Sequence, residues 1–237
     1  MILFPAIDLF EKKAVRLYKG DYANMTVYSE NPIEIARDFE AQGCTHIHMV
    51  DLEGARDGTT PNLSVVAQVA RETNLFVEIG GGIRNMETVE RYLEAGVSRV
   101  ILGTAAIQDP VFLRTAVGKY ADKIAVGADV KDGYIAIKGW LETSAVTLEA
   151  FLAEMEGIGV RYVICTDISK DGAMRGTNLT LYRTLSEKFR LNITASGGVS
   201  SLEDIRQLRQ MDLWAAIIGK AYYTGAIDLK EALEAAK

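Results

Sequence analysis

Two short stretches of this sequence, Ala195-Ser-Gly-Gly-Val-Ser200 and Ala216-Ile-Ile-Gly-Lys-Ala221, decide the fold that it can adopt. In each, a short apolar run breaks into glycine, and a helix is predicted to begin soon afterwards. A strand that ends in this way presents backbone N–H groups and a helix start to an anion, most often a phosphate. We therefore predict that the two turns together form one phosphate-binding cradle.

The first half of the chain repeats both turns at a constant distance. Gly81-Gly82-Ile83 precedes Gly197-Gly198-Val199 by 116 positions (197 − 81 = 116), and Ile101-Leu-Gly-Thr-Ala105 precedes Ile217-Ile-Gly-Lys-Ala221 by the same number. A repeat of this kind indicates two copies of one structural unit. The chain is therefore predicted to be duplicated, with one cradle in each copy.

The composition excludes several classes of protein. With 26 basic and 32 acidic residues the net charge is −6, which disfavours nucleic acid or an anionic membrane as the main partner. Cys44 and Cys165 lack a CxxC partner, so neither a disulfide nor a structural zinc is expected. The first residues lack a signal-peptide pattern, and no apolar run approaches the roughly 20 residues of a membrane helix. We expect a cytoplasmic protein.

Strands and helices alternate along the whole chain of 237 residues, with about 30 residues for each strand–helix unit. Eight such units favour a single α/β domain, a closed (β/α)₈ TIM barrel, over an open doubly wound sheet. The duplication divides it into half-barrels at about 1–120 and 121–237. Ser200-x-x-Glu203 predicts a capping box at the seventh helix. The predicted strands are Ile2–Asp8, Thr45–Val50, Phe76–Ile79, Arg99–Leu102, Ile124–Asp129, Tyr162–Thr166, Asn192–Ala195 and Ala215–Ile218.

The predicted cradles consist mainly of glycine, because a side chain would keep phosphate oxygens away from the backbone N–H groups. Tight turns without a ligand are the less favoured interpretation, since the repeat preserves the whole arrangement. The two cradles would lie on opposite sides of the barrel mouth, so we expect a long substrate with a phosphate at each end. The first cradle is Gly81, Gly82, Gly103 and Thr104, and the second is Gly197, Gly198, Gly219 and Lys220.

Between the cradles, Asp8 and Asp129 each end the first strand of one half. Active sites of TIM barrels form at the carboxyl ends of the strands. Two carboxylates facing one substrate can act as general acid and general base if their surroundings separate their pKa values. Either aspartate alone is also consistent with a carboxylate that caps a neighbouring loop. The pair in corresponding strands favours catalysis.

Other polar residues near the strand ends are weaker candidates. His48 is either a hydrogen-bond donor to the substrate or a structural histidine, and the His46-x-His48 pair lacks the further ligands that a metal site needs. Thr166 and Asp171 are candidates for supporting or acidic roles, or are simply exposed to solvent. We expect no metal.

Two connections are unusually long, residues 16–28 after the first strand and 131–144 after the fifth. Loops beyond about 12–15 residues are usually functional or disordered. We expect both to be mobile without ligand and to close over it, because closure would exclude water from the reacting groups. Arg16 and Lys19 would then meet the substrate, and Trp140 would stack on a flat ring.

Eight motifs carry a family resemblance that covers essentially the whole chain in order. The chain resembles the phosphoribosylformimino-5-aminoimidazole carboxamide ribotide isomerases of histidine biosynthesis. The motifs are Pro5-Ala-Ile-Asp-Leu9, Val15-Arg-Leu-Tyr-Lys-Gly20, His48-Met-Val-Asp-Leu-Glu-Gly-Ala55, Gly80-Gly-Gly-Ile-Arg84, Gly127-Ala-Asp-Val130, Gly139-Trp140, Thr166-Asp-Ile-Ser-Lys-Asp-Gly172 and Ala195-Ser-Gly-Gly-Val199.

The resemblance implies a monomeric enzyme without metal or organic cofactor that catalyses an Amadori rearrangement of a bisphosphorylated aminoaldose. It implies that Asp8 accepts a proton and Asp129 donates one, and it leaves open whether Asp129 or Asp171 delivers the proton that opens the ring. Arg84, in the third-strand glycine motif, joins the substrate-binding candidates.

Three alternatives remain at this point. The cyclase subunit that makes imidazole glycerol phosphate shares the duplication but needs a glutaminase partner, and Val15–Gly20 and Gly139-Trp140 resemble the isomerases instead. A dual isomerase would also act on phosphoribosyl anthranilate. A phosphosugar-binding protein without catalysis is disfavoured by the intact Asp8 and Asp129.

Overall fold

A ring of parallel strands forms the centre of the computed structural model, which describes residues 1–18 and 20–237. The strands are β1 (Ile2–Phe10), β2 (Lys13–Tyr18), β3 (Asp21–Ser29), β4 (His46–Asp51), β5 (Phe76–Gly80), β6 (Arg99–Leu102), β7 (Ile124–Lys131), β8 (Tyr134–Ile137), β9 (Glu142–Thr147), β10 (Tyr162–Asp167), β11 (Asn192–Ser196) and β12 (Ala215–Ile218).

The helices surround this ring. They are α1 (Pro32–Ala41), α2 (Leu52–Asp57), α3 (Leu63–Glu72), α4 (Met86–Glu94), α5 (Thr104–Gln108), α6 (Pro110–Tyr120), α7 (Leu148–Ile158), α8 (Leu179–Lys188), α9 (Leu202–Gln210), α10 (Lys220–Tyr223) and α11 (Leu229–Ala235), with a 3-10 helix at Ala121–Lys123.

Eight of the strands close a barrel. Their order is β1-β4-β5-β6-β7-β10-β11-β12, every neighbouring pair is parallel, and β12 pairs with β1 to complete the ring. All eight predicted strands match these eight, so the predicted (β/α)₈ barrel is confirmed. Because parallel strands in a barrel are buried on both faces, they appear in the sequence as continuous apolar runs.

The apolar core has two layers. The larger layer lies between strands and helices and includes Phe39, Tyr92 and Phe151, each at most 1% exposed. Burying a large apolar side chain contributes about 1.5–3 kcal/mol. The smaller layer fills the barrel interior, so the barrel is a packed core and not a pore. Its buried members are Phe4, Ala6, Ile101, Ala125, Ile164, Ala215 and Ile217.

The two long connections predicted as loops are antiparallel hairpins. Strands β2 and β3 extend from the end of β1, where Asp8 pairs with Val15, and β8 and β9 extend from β7, where Val130 pairs with Ile135. The prediction of irregular structure was wrong because β3 and β9 are largely exposed and lack an apolar alternation. Each half of the barrel carries its hairpin after its first strand. Their mobility stays a prediction.

The predicted capping box at Ser200 and Glu203 was wrong by one residue. Ser201 is the N-cap of α9, and its hydroxyl accepts from the Asp204 backbone N–H, while the Asp204 carboxylate accepts from the Ser201 backbone N–H. Each residue of the predicted pair is followed by a similar one, Ser200 by Ser201 and Glu203 by Asp204. The sequence therefore fits a capping box in either of two registers. Asp204 is buried, whereas Glu203 is exposed.

A carboxylate–amide pair fixes the same loop in both halves. The Asn62 side-chain amide donates to Asp51 at 2.8 Å, and the Asn178 amide donates to Asp167 at 2.7 Å. Both pairs follow the 116-residue repeat, and both aspartates are at most 7% exposed. The bonds satisfy carboxylates that burial would otherwise penalise. They hold the segments against which the cradle glycines pack.

Candidate active site

A large cavity opens at the carboxyl ends of the barrel strands, where a TIM barrel places its active site. Every site residue predicted from the sequence lines this cavity except Lys19, which lies outside the described residues. Because the strands belong to both halves, the cavity brings the two glycine cradles and the central carboxylates into one chamber.

Asp8, at the end of β1, forms a buried ion pair. Its Oδ2 accepts from Arg16 Nη1 at 2.7 Å, and the two side chains are 12% and 16% exposed. The hairpin β2–β3 brings Arg16 there, because β2 folds back antiparallel along β1. Burial would lower the pKa of Arg16, but the charges of Asp8, Tyr223 and Asp171 outweigh it and raise that pKa. Arg16 thus contacts a catalytic candidate directly.

Asp129, in β7, lies on the other side of the cavity. Burial raises its pKa, while hydrogen bonds from the Trp140 and Thr166 side chains and the nearby His48 lower it. Thr166 sits beside Asp129 because the two are register partners in the β7–β10 ladder. The net upward direction favours retention of a proton, which a general acid needs.

Asp171 completes a group of three carboxylates. Burial raises its pKa to about 6, Arg16 opposes the rise, and the charges of Asp8 and Asp129 add to it. Like charges in one buried mouth cannot all ionise without cost. A carboxyl that titrates near neutral pH can donate or accept a proton, so Asp171 remains a candidate for the ring-opening step beside Asp129.

The two hairpins meet above these carboxylates. A Cβ built on Gly20 would lie 2.6 Å from Trp140 Cε3, so the indole packs directly on the Gly20 backbone. Trp140 adopts a φ of 71°, which is uncommon for a residue other than glycine. The Lys138 backbone N–H donates to Thr104 Oγ1 at 2.9 Å. The second hairpin therefore contacts the first cradle and covers the site.

The structure revises the reason for glycine in the cradles. Gly81 and Gly82 have φ values of 107° and 74°, and a Cβ at either would lie 2.1 Å from a backbone oxygen, that of Asp51 or Gly54. At Gly197 and Gly198 the nearest backbone oxygens would be 2.6 and 2.5 Å away. Backbone packing therefore requires these glycines before any phosphate binds.

Gly103 and Gly219 differ from those four. A Cβ on Gly103 would meet nothing within 4 Å, so the space before it lies open to a ligand. A Cβ on Gly219 would lie 1.7 Å from Arg16 Nη2, so the guanidinium of Arg16 rests against this turn. Lys220 Nζ donates to the Gly172 carbonyl at 3.2 Å. The second cradle therefore holds two cations, and one of them also pairs with Asp8.

Arg84 and the histidines complete the set of predicted residues. Arg84 is exposed, and its guanidinium packs on Gly58 and donates weakly to the Ala55 carbonyl at 3.4 Å. His48 Nδ1 lies 2.8 Å from Glu78 Oε1, whereas His46 Nδ1 lies 2.8 Å from Thr45 Oγ1. The histidines thus have separate partners. Across residues 1–18 and 20–237, no group of three or more His, Cys, Asp or Glu side chains is placed to hold a metal.

Two residues that hold site side chains in place, Tyr223 and Glu78, were not among those predicted from the sequence. Tyr223 donates to the Ala6 carbonyl at 2.8 Å, and its ring centroid lies 5.8 Å from the guanidinium carbon of Arg16. No sequence pattern marks it. Glu78 is fully buried beside His48. The sequence does mark this residue, because it is the one charged residue in the apolar run Phe76-Val-Glu-Ile-Gly80.

Within the described part of the chain, no helix is long and apolar enough to cross a membrane.

Comparisons with known proteins agree on one family. Residues 2–228 match the family described as Histidine biosynthesis protein. A relative from Oceanobacillus iheyensis is 48% identical over 234 residues, covering 99% of this chain and 98% of the relative. Relatives from Clostridium botulinum (strain Okra / Type B1) and Lactococcus lactis subsp. cremoris are 48% and 49% identical, covering 99% and 98% of this chain and 97% and 95% of their own lengths. All three are named 1-(5-phosphoribosyl)-5-((5-phosphoribosylamino)methylideneamino)imidazole-4-carboxamide isomerase.

Substituting the two kinds of cradle glycine should have different effects on stability. We expect Gly82→Ala to lower the midpoint of thermal unfolding, because its Cβ would collide with the Gly54 carbonyl. Gly103→Ala is the matched control, since its Cβ enters open space. Thermal unfolding followed by circular dichroism measures both. Equal midpoints for the two variants would contradict the packing that we describe.

Removing the Asp171 carboxyl should stabilise the folded chain at neutral pH. Its folded pKa of about 6 exceeds the unfolded value of 3.8, so the folded state binds more protons between these values and loses stability as the pH rises through them. We expect Asp171→Asn to exceed the wild type in free energy of unfolding by up to about 3 kcal/mol at pH 7.5. The difference should shrink towards pH 4. A difference that does not vary with pH would refute this assignment.

Proposed function

The chain belongs to the histidine biosynthesis protein family and is an isomerase of that pathway, and from this premise we propose its substrate and its catalytic residues. The substrate is N'-[(5'-phosphoribosyl)formimino]-5-aminoimidazole-4-carboxamide ribonucleotide, an aminoaldose with a phosphate at each end. The product is the aminoketose formed by an Amadori rearrangement. The three relatives described above are named as isomerases of this substrate class.

One observation carries the assignment of the chemistry. Asp8 and Asp129 lie in corresponding strands of the two halves, inside one cavity with a glycine cradle on each side. A substrate held by both phosphates would span the cavity, with its reacting ribose between the two carboxylates. Fixing both ends removes much of the motion that would otherwise oppose reaction.

The reaction begins with protonation of the furanose ring oxygen. The C1'–O4' bond breaks and C1' becomes doubly bonded to nitrogen as a protonated Schiff base. Asp129 supplies this proton in our assignment, because burial raises its pKa. Asp171, with a pKa of about 6, is the alternative donor. The opened sugar remains attached at both phosphates.

Asp8 then removes the proton from C2', and the electron pair forms a C1'–C2' double bond while the nitrogen becomes neutral. The resulting enolamine gains a proton at C1' and loses one from the C2' hydroxyl, which gives the ketose. Every step is a proton transfer, so carboxylates suffice for the chemistry.

Arg16 links substrate binding to the release of the base. Its guanidinium bonds to Asp8 and also lies against Gly219 in the second cradle. A phosphate bound there would compete for Arg16, since charge-assisted bonds to phosphate oxygens are strong and often bidentate. Asp8 would then face C2' with an unoccupied oxygen. The substrate's own phosphate therefore prepares the base.

We further propose that the enzyme acts as a monomer in the cytoplasm, with the bisphosphorylated substrate as its main partner. The net charge of −6 disfavours binding to nucleic acid or to an anionic membrane. A second activity on phosphoribosyl anthranilate has no particular residue in its favour.

The direct functional test uses purified chain and the bisphosphorylated aminoaldose, without ammonia and without a glutaminase. Conversion to the aminoketose, followed by its absorbance change, is the expected result. Conversion only after a glutaminase or ammonia is added would favour the cyclase. Saturable binding without any conversion would favour a phosphosugar-binding protein.

Asp8→Asn should abolish most turnover and preserve binding. Asparagine keeps the shape of the side chain but cannot accept the C2' proton, and a general acid–base group typically contributes about 10²–10⁴-fold. Turnover assays and calorimetric titration with the aminoaldose measure the two effects separately. A variant that retains more than a tenth of wild-type turnover would exclude Asp8 as the base.

Trp140 emission should report ligand binding. The indole packs on Gly20 and bonds to Asp129, so a substrate entering beneath it must change its surroundings. Trp214 is the other tryptophan, so a Trp214→Phe protein isolates the signal. We expect an emission change on titration with a bisphosphate analogue, and Trp140→Ala should weaken binding by about 1–3 kcal/mol, the range for one aromatic stacked on a base. Constant emission at saturation would rule out Trp140 as the lid.

A further inference from the structure

A row of three polar side chains crosses the barrel interior below the cavity. His48 on β4 is the register partner of Glu78 on β5, and Glu78 is the register partner of Arg99 on β6. Three adjacent strands therefore place an imidazole, a carboxylate and a guanidinium side by side. Only His48 of the three lines the cavity.

Glu78 is a fully buried carboxylate with a partner on each side. Its Oε1 lies 2.8 Å from His48 Nδ1, and its Oε2 lies 3.6 Å from Arg99 Nη1. A buried charge is tolerated when it is paired with an opposite charge and hydrogen-bonded. Arg99, at 5% side-chain exposure, supplies the opposite charge, and an arginine does not lose its proton in proteins. Glu78 therefore faces a positive charge on one oxygen and an imidazole nitrogen on the other.

Arg99 is itself fixed in place. Its guanidinium carbon lies 3.6 Å from the ring centroid of Tyr162 and 5.1 Å from that of Trp214, in the range of cation–π contacts. Its Nε donates to the Asp122 carbonyl at 3.1 Å. Because these contacts anchor Arg99, they also fix the oxygen of Glu78 that faces it, and the other oxygen is left for His48.

A carboxylate accepts hydrogen bonds and does not donate them. The Nδ1 of His48 must therefore carry a hydrogen to make the 2.8 Å bond. In a neutral imidazole the second nitrogen, Nε2, then has a free electron pair. Since Nδ1 is occupied by Glu78, Nε2 is the ring nitrogen available to a ligand in the cavity.

We propose that Glu78 is a positioning residue that holds His48 in the Nδ1–H tautomer, so that the neutral ring presents Nε2 to a sugar hydroxyl as a hydrogen-bond acceptor. This differs from the donor role that the sequence suggested for His48. The inference rests on the proposed function for the identity of the ligand, but the tautomer itself is a property of the chain without ligand.

The chain is well suited to a direct test, because it contains two histidines. His46 is the internal control: its ring packs against Phe4 and Phe76, and its Nδ1 faces Thr45 instead of Glu78. Nitrogen-15 NMR of the imidazole rings distinguishes a protonated from an unprotonated nitrogen. A His48→Asn variant assigns the two sets of signals.

In the wild type without ligand, at a pH where both rings are neutral, we expect the hydrogen of His48 on Nδ1. In Glu78→Gln the amide oxygen should turn to Arg99, which can only donate, so the amide NH₂ group faces His48. Nδ1 then becomes an acceptor and the hydrogen moves to Nε2. The tautomer of His46 should not change, because its Nδ1 is paired with Thr45.

Either of two results would overturn the proposal: an Nε2–H tautomer of His48 in the wild type, or the same tautomer in wild type and Glu78→Gln. The wild-type spectrum decides the matter even if the variant does not fold.

Turnover supplies a second readout. We expect Glu78→Gln to lower kcat/KM for the aminoaldose by about 10–100-fold, the loss found when the partner behind a metal-binding histidine is removed. Glu90→Gln is the matched control, since Glu90 pairs with Lys119 at 2.7 Å on the surface and should leave kcat/KM unchanged. Full activity in Glu78→Gln with an altered tautomer would also overturn the positioning role. A wild type with no turnover would refute the proposed function, whereas the tautomer would still be decided by NMR.

Discussion

The site depends on the burial of three carboxylates in one cavity together with the guanidinium of Arg16, which pairs with one of them. Burial raises the pKa of Asp171 to about 6, the charges of Asp8 and Asp129 add to that rise, and the Arg16 guanidinium opposes it. Because Arg16 bonds directly to Asp8, the three groups are not equivalent. Asp8 is paired with a positive charge, whereas burial favours the protonated forms of Asp129 and Asp171. An inequality of this kind is what the proposed division into a general base and a general acid requires.

The barrel provides the positions for that arrangement. Parallel strands end at one rim, and the register of the β7–β10 ladder places Thr166 beside Asp129. The antiparallel β2 returns along β1 and brings Arg16 to Asp8. At that one rim, the glycine turns after β5 and β6 and those after β11 and β12 face the carboxylates from opposite sides. A symmetric fold thus holds an asymmetric set of charges.

Much of this arrangement can be predicted from the sequence. Continuous apolar runs predict the eight barrel strands, and the 116-residue repeat predicts the cradles. The hairpin strand β3 could not be predicted in this way, because its exposed residues carry no burial pattern. The double serine at the start of α9 left two registers open for one capping box. The contact of Arg16 with Asp8 and Gly219 depends on how a hairpin folds back over the rim, and no local pattern encodes that distance.

The claim that one substrate spans both cradles is tested most directly by a crystal structure of Asp8→Asn with the unreacted aminoaldose bound. The account predicts one phosphate at the turns of Gly81, Gly82 and Gly103 and the other at those of Gly197, Gly198 and Gly219. The ribose C2' should lie within hydrogen-bonding reach of residue 8, and Arg16 should have moved from it to the phosphate. Two phosphates on the same side of the barrel mouth, or a ribose remote from residue 8, would contradict it.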